Sequence, residues 1–240
     1  MSNFSFTKLQ LDGAYLIEYF SAGDNRGGFS KSFEKDIYKE AGIDFSLYET
    51  FISVSAKNVI RGLHFQTRNP QAKLVSVPKR KVYDVIVDLR PESPTFKKWE
   101  GYELSDQNHK ALYVPRGFAH GFASLEDGTL MMYQCDGAYD KETDTGIRFD
   151  DPEIGINWPV EEGKDIHSQR DLGLMSFLEY IKTGGWGYCK YKSVILNNIF
   201  AIPGLGWQHE NCISYRSSRL YWYTDGKGTV LKRLYCLCLN

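Results

Sequence analysis

The chain has 240 residues, a formal net charge of −1 and a hydrophobic fraction of 42%. Such a balance creates no global field that attracts nucleic acid or an anionic membrane, so an anionic ligand must be held by local cations. Residues 1–13 are mixed and polar, and no apolar run of about 18 residues follows. We therefore expect a soluble protein without a secretory signal, a nucleic-acid partner or a membrane partner.

Cysteine usage bears on the compartment. The chain has 5 Cys, and only Cys135 precedes residue 189. An odd number with this distribution does not form a disulfide framework. The main domain is therefore expected to be cytoplasmic.

Short β-strands account for most of the central sequence. In 82–89, Tyr83, Val85, Val87 and Leu89 fall on one face, and Asp84 and Asp88 fall on the other. Similar short runs, separated by Gly, Pro, Asn and Asp, continue from 47 to 132. No crossover helices separate them, which argues against a parallel α/β sheet. The pattern predicts an all-β sandwich or jelly roll with short peripheral helices. Two Gly- and Pro-rich segments, each followed by a His on or near a strand, favour the double-stranded β-helix of cupins.

Three flanking segments have their own local signals. Residues 14–20 form the first predicted strand, and 21–28 (SAGDNRGG) form a predicted turn. A short helix is expected at 36–41, ending before Gly42. A C-terminal helix is expected within 168–181, where apolar residues recur at helical spacing from Leu174.

The segment Val59–Gln66 (VIRGLHFQ) places three chemically useful residues within four positions. His64 exchanges protons near neutral pH, and Arg61 offers donors suited to phosphate. In a regular strand these two side chains point to opposite faces, so a shared pocket requires a bulge at Gly62. The alternative is a strand with a solvated Arg and a structural His.

Further motifs occur in a fixed order along the chain. They are RGGF at 26–29, RGLHFQ at 61–66, VDLRPESPTF at 87–96, PRGFAHGF at 115–122, MMY ending at Tyr133, Tyr139, DDPEIGINWP at 150–159 and SQRD at 168–171. Each motif alone is weak, but their order and spacing closely resemble the sugar-nucleotide 3,5-epimerases of the dTDP-4-dehydrorhamnose epimerase family. The resemblance extends from about Leu9 to about Asp171.

The resemblance implies four catalytic residues. His64 is the base, and Asp171 is the buried carboxylate that fixes its tautomer. Tyr133 matches the proton donor, and Lys73 is placed to hold an enolate oxygen or a phosphate. The alternatives from the residues alone are a solvated Asp at a helix start, a core Tyr and a solvated Lys.

The resemblance also implies a set of substrate-binding residues: Arg26, Phe29, Arg61, His120, Tyr139, Asp144 and Arg170. Several binding positions depart from the family pattern. Lys31 stands where Glu is usual, Glu49 and Phe51 replace a Gln and an Asn, Asp144 replaces a Glu, and Arg170 replaces a Lys. These changes cast doubt on the thymidine base and the particular hexose, and leave the proton chemistry intact.

No metal or other cofactor is expected. Cupins that bind a metal usually place a second His two residues after the first, and this chain has Gln66 there. His64 and His120 alone are too few for a metal centre.

The implied activity is epimerisation at C3, C5 or both of a nucleotide-diphospho-4-keto-6-deoxy sugar, through an enolate. The alternatives are a 3-only or 5-only epimerase, a ketoisomerase, a non-catalytic sugar-nucleotide-binding cupin and a metal-dependent cupin. Family members are homodimers that exchange N-terminal strands, so a homodimer is implied. The epimerase domain is expected at 1–183. The extension at 184–240 is either a small β appendage or translation past a shifted reading frame.

Overall fold

The computed structural model describes residues 4–183 in full and, after them, the backbone of four short strands between 214 and 232. The chain divides into two compact units, Met1–Cys189 and Lys190–Asn240. In the second unit β14 (Ser214–Tyr215) pairs with β15 (Ser218–Arg219), and β16 (Tyr221–Thr224) pairs with β17 (Thr229–Lys232). The two alternatives for 184–240 concern a segment that lies mostly outside the described residues.

The first unit contains thirteen strands and three short helices within its described residues. In chain order they are β1 (Ser5–Lys8), β2 (Tyr15–Glu18), β3 (Phe20–Asp24), β4 (Gly27–Lys31), α1 (Lys35–Glu40), β5 (Glu49–Ser55), β6 (Ile60–Gln66), β7 (Lys73–Lys79), β8 (Lys81–Asp88), β9 (Trp99–Ser105), β10 (Lys110–Val114), β11 (Phe118–Ser124), β12 (Thr129–Cys135), β13 (Asp144–Gly146), α2 (Gln169–Leu172) and α3 (Phe177–Lys182). None of the helices in the described part is long and apolar enough to cross a membrane.

Two antiparallel sheets form the body of this unit. One has the strand order β1-β2-β10-β7-β12-β5, the other has the order β13-β6-β11-β8-β9, and β3 and β4 form a separate hairpin. The apolar cluster between the sheets takes Val75 from β7, Ile86 from β8 and Met131 from β12. This is the predicted cupin jelly roll with short peripheral helices, so the fold class is confirmed.

Strand β8 shows how the alternation of side chains divides the core. Val82 and Ile86 point between the sheets, whereas Val85 and Val87 join a second cluster with Phe177 and Tyr180 of α3. Both faces of β8 are therefore covered. Asp84 and Asp88, on the face between the sheets, are consequently fully buried.

The two short helical regions and the segment at 21–28 can be compared with their predictions. Helix α1 ends before Gly42, whose φ of +87° is the left-handed conformation that glycine favours, as predicted. The expected turn at 21–28 is wrong, because most of it belongs to the β3–β4 hairpin. The C-terminal helix expected within 168–181 is present as α3, which Ser176 starts with a capping box, although Leu174 lies outside it and a separate short α2 ends at Gly173.

Candidate active site

The bulge predicted at Gly62 is present. His64 pairs with His120 and Arg61 pairs with Phe122, so two residues of β6 oppose one residue of β11. A Cβ on Gly62 would lie 2.6 Å from Cα of Gly121, so the two strands approach too closely for any side chain there. The bulge turns Arg61 towards the facing sheet, where its Nε donates to the Ser55 hydroxyl at 3.1 Å.

His64 and Asp171 form a direct pair. Nε2 of His64 lies 2.7 Å from Oδ1 of Asp171, whose side chain is almost fully buried. Helix α2 presents this carboxylate because the Ser168 hydroxyl caps it, accepting from the Asp171 backbone N–H at 3.0 Å. Burial acts to raise the pKa of Asp171, but the hydrogen bond from His64 and the Gly62 backbone N–H outweigh it and hold that pKa low.

The ionised Asp171 fixes the tautomer of His64. A carboxylate only accepts hydrogen bonds, so Nε2 of His64 must carry the proton that it donates. Nδ1 of the neutral ring therefore holds the free lone pair. Leu63 and Phe65 belong to the cluster that contains Phe177 and Tyr180, called here the outer cluster because it lies outside the two sheets. Alternation along β6 therefore turns the His64 side chain to the inside, between the sheets. The pair thus supplies a base at the inner face.

Tyr133 approaches from the opposite sheet. It lies on β12, is 8% exposed and belongs to the apolar cluster between the sheets. Its ring stacks on Phe51 at 4.6 Å between centroids and meets His120 edge-on at 6.0 Å. Burial raises the pKa of the Tyr133 phenol well above its usual value. The hydroxyl is therefore protonated across the physiological range.

Asp84 and His120 form a buried pair, and the His120 ring contacts Tyr133. Nε2 of His120 is 2.9 Å from Oδ2 and 3.1 Å from Oδ1 of Asp84. Burial lowers the pKa of Lys73, and the carboxylates of Asp144 and Asp84 oppose that decrease. Burial raises the pKa of Asp84, which His120 and Lys73 partly offset. Asp84 was not predicted as a site residue, although an Asp within an apolar strand was the available signal.

Three predicted binding residues form a second contact group. Asp144 accepts hydrogen bonds from the Tyr139 hydroxyl at 3.0 Å and from Nη2 of Arg170 at 2.7 Å. Asp144 also pairs across strands with Gln66, two residues after His64. The structure therefore brings this group next to the His64–Asp171 pair.

Arg26 and Phe29 are the exceptions. The Arg26 side chain is 86% exposed and binds Asp24 within the same hairpin, and Phe29 packs on Phe20. Within residues 4–183, none of their contacts reaches the His64 group. Their predicted binding role is therefore not met by the single chain.

No group of three or more His, Cys, Asp and Glu side chains in the described part of the chain is arranged to hold a metal ion. Independence from metal stays a prediction for the activity assay.

Comparison with known proteins gives consistent matches. The family model described as dTDP-4-dehydrorhamnose 3,5-epimerase matches residues 8–179. The Methanothermobacter thermautotrophicus dTDP-4-dehydrorhamnose 3,5-epimerase is 44% identical over 172 residues, covering 71% of this chain and 93% of the relative. The Streptomyces niveus dTDP-4-dehydrorhamnose 3-epimerase is 38% identical over 173 residues, covering 71% and 83%.

A solved structure adds a bound ligand. The Legionella pneumophila dTDP-6-deoxy-D-glucose-3,5-epimerase, in complex with dTDP-4-keto-L-rhamnose, is 38% identical with a TM-score of 0.70. The match covers 72% of this chain and 93% of that chain. The fold and these matches define a cupin-type isomerase, an epimerase. More specifically, the chain belongs to the dTDP-4-dehydrorhamnose 3,5-epimerase family.

Proposed function

We propose that this chain inverts C3 and C5 of dTDP-4-dehydro-6-deoxy-D-glucose, which gives dTDP-4-dehydro-L-rhamnose. The observation that carries the proposal is a His–Asp pair on one sheet and a buried phenol on the facing sheet. A sugar ring between them meets a base on one face and an acid on the other. The ligand of the Legionella relative supports the choice of substrate.

The reaction starts with proton removal next to the ketone. Nδ1 of His64 takes the proton, and the C–H electron pair moves through the new C=C bond onto the ketone oxygen, forming an enolate. The Asp171 carboxylate stabilises the imidazolium that results. The Lys73 ammonium holds the enolate charge.

Inversion requires a proton from the opposite face. The Tyr133 hydroxyl gives its proton to the carbon, the C=C bond closes back to the ketone, and the configuration is reversed. Solvent then reprotonates the tyrosinate and removes the proton from His64. The same sequence at the second carbon completes the conversion.

Substrate binding is assigned to the surrounding side chains. Arg61 and Arg170 bring positive charge suited to a diphosphate. Tyr139 is exposed and shares the Asp144 carboxylate with Arg170, so its ring is available to stack on the nucleotide base. Asp144 holds Arg170 and Tyr139 in place through its two hydrogen bonds. His120, held by Asp84 through Nε2, offers Nδ1 as a hydrogen-bond acceptor to a sugar hydroxyl.

The remaining binding residues require a second subunit, so the proposal includes a homodimer. Every residue of β4 is exposed, and β5 is an edge strand with Ile52 and Val54 exposed. Exposed apolar side chains on an unpaired edge favour association with another copy. Arg26 and Phe29 then belong to the partner's site. Mixing inactive Arg26→Ala and His64→Ala chains should restore activity, because one site in each mixed dimer is intact.

The proposed location is the cytoplasm, without nucleic-acid or membrane partners. A nucleotide-sugar substrate and the absence of a disulfide framework before residue 189 support this assignment.

The test is proton NMR of the purified protein with the dTDP-linked keto sugar in deuterium oxide. Inversion with deuterium at both C3 and C5 is the expected result. Deuterium at one carbon supports the second candidate, a mono-epimerase, which the Streptomyces niveus 3-epimerase favours. A keto group that moves identifies a ketoisomerase, and binding without exchange identifies a silent cupin. A thermal-shift panel of dTDP, UDP, GDP and CDP identifies the base, since ligand at about 100-fold over Kd adds about 2.7 kcal/mol.

A further inference from the structure

Phe51 lies directly against the proposed proton donor. It is the cross-strand partner of Tyr133 in the pairing of β5 with β12. The two rings lie nearly parallel, with centroids 4.6 Å apart and an angle of 14° between their planes. Cross-strand neighbours on one sheet face are in close contact by construction, and aromatic pairs gain further from stacking.

The two rings differ in their surroundings. Phe51 is 47% exposed on the edge strand, whereas Tyr133 is 8% exposed. On its other side Tyr133 meets the edge of His120, which the buried Asp84 holds by hydrogen bonds. The Tyr133 ring therefore lies between Phe51 on the solvent side and His120 on the inner side. Without its ring, the phenol can rotate towards the edge of the sheet.

We propose that Phe51 is a positioning residue that holds the Tyr133 phenol against the pocket and so sets how often an enolate is inverted. The proposal rests on the proposed function. His64 can return its own proton to the face from which it came, so an enolate has two fates. When Tyr133 is displaced, the enolate survives until His64 reprotonates it, and exchange occurs without inversion.

The family resemblance predicts an Asn at position 51, and an Asn has no ring to cover the phenol. The polar contact that an Asn offers is absent in this chain, and a flat apolar wall takes its place. The position of the Tyr133 phenol therefore depends on Phe51, a residue that was not among the predicted catalytic residues.

The experiment compares solvent-deuterium exchange with inversion in Phe51 variants of the full chain. Phe51→Ala should lower the ratio of inversion to exchange on the order of tenfold, because small displacements of an acid have large effects on rate. Phe51→Leu keeps apolar volume without a flat face and should show a smaller decrease. Phe51→Tyr keeps the ring and should restore the wild-type ratio. Tyr48→Ala, which truncates a 68% exposed aromatic just before β5, is the matched control.

Circular dichroism of each variant checks that the fold is intact, and Phe51→Leu decides the matter if Phe51→Ala does not fold. An unchanged ratio in the folded Phe51 variants overturns the proposal, as does a parallel fall of exchange and inversion. A wild-type protein that exchanges no deuterium contradicts the proposed function instead, before any variant is compared.

Discussion

Nε2 of His64 lies 2.7 Å from Oδ1 of Asp171, although the two residues are 107 positions apart in the chain. A bulge at Gly62 places the His, and a helix cap at Ser168 places the Asp. Both features are local, but the pair forms because α2 packs beside β6. This contact defines which imidazole nitrogen is free to take a proton.

Asp171→Asn should reduce turnover by on the order of 10³–10⁴-fold, because an amide can donate to Nε2 and move the ring proton to Nδ1. The pair then presents no lone pair to the substrate. Steady-state kinetics measure the effect, with Glu142→Gln as a control that makes the same chemical change at an exposed side chain. Retention of more than a tenth of wild-type turnover would show that Asp171 does not set the tautomer.

Lys73 should determine the alkaline limit of activity. Burial lowers its pKa, so kcat/KM should begin to fall at a pH below the usual lysine value of about 10.4. The Asp84 carboxylate opposes that lowering, so Asp84→Asn should move the alkaline limb to still lower pH. The position of the limb is read from the pH profile and does not depend on the absolute rate. A limb that stays in place in Asp84→Asn would contradict the coupling of these two residues.

Asp88 should stabilise the fold in a pH-dependent way. Burial acts to raise its pKa, but hydrogen bonds from Arg90, Ser93 and Thr95, at 2.7 Å, 2.5 Å and 2.7 Å, outweigh this and hold the pKa below its usual value. Its stabilisation is complete above the unfolded-state value of about 3.9 and is lost as pH falls through the lower folded-state value.

Asp88→Asn should therefore lower the free energy of unfolding by about 2–4 kcal/mol at pH 7, and by less in strong acid. Urea unfolding at both pH values measures the difference, with the exposed Asp36→Asn as control. A destabilisation that grows as the pH falls would contradict the assignment.

Removal of residues 183–240, which include the whole second unit, should leave the enzyme intact. A chain ending after Lys182 keeps α3, and dimer formation and turnover should match the full chain in light scattering and activity assays. A chain ending after Gly173 loses Phe177 and Tyr180, which are buried in the outer cluster, and should not fold stably. Loss of activity in the longer truncation would show that residues beyond 182 contribute to the fold or the site.

Sequence reasoning succeeded where the signal was local. The alternation in β8, the glycine that ends α1 and the bulge at Gly62 each follow from neighbouring residues. It failed for the β3–β4 hairpin, because Gly and Asn that signal a turn also permit a tight pair of strands.

Tertiary relationships account for the remaining differences. The burial of Asp84 depends on a facing sheet that no local pattern describes. The proposed catalytic roles were assigned from the family resemblance. The distances between those side chains could be known only from the folded structure. Arg26 has no partner in the site within the described single chain, and the proposed homodimer would bring it to the partner's site.

In the proposed mechanism, His64 and Tyr133 act on opposite faces of one enolate. Tyr133→Phe removes the hydroxyl proton alone, and proton NMR in deuterium oxide records exchange and inversion in the same sample. We expect deuterium exchange to persist in Tyr133→Phe while inversion is lost, and both to be lost in His64→Ala. Exchange and inversion that fall together in Tyr133→Phe, with exchange kept in His64→Ala, would show that the two roles are reversed.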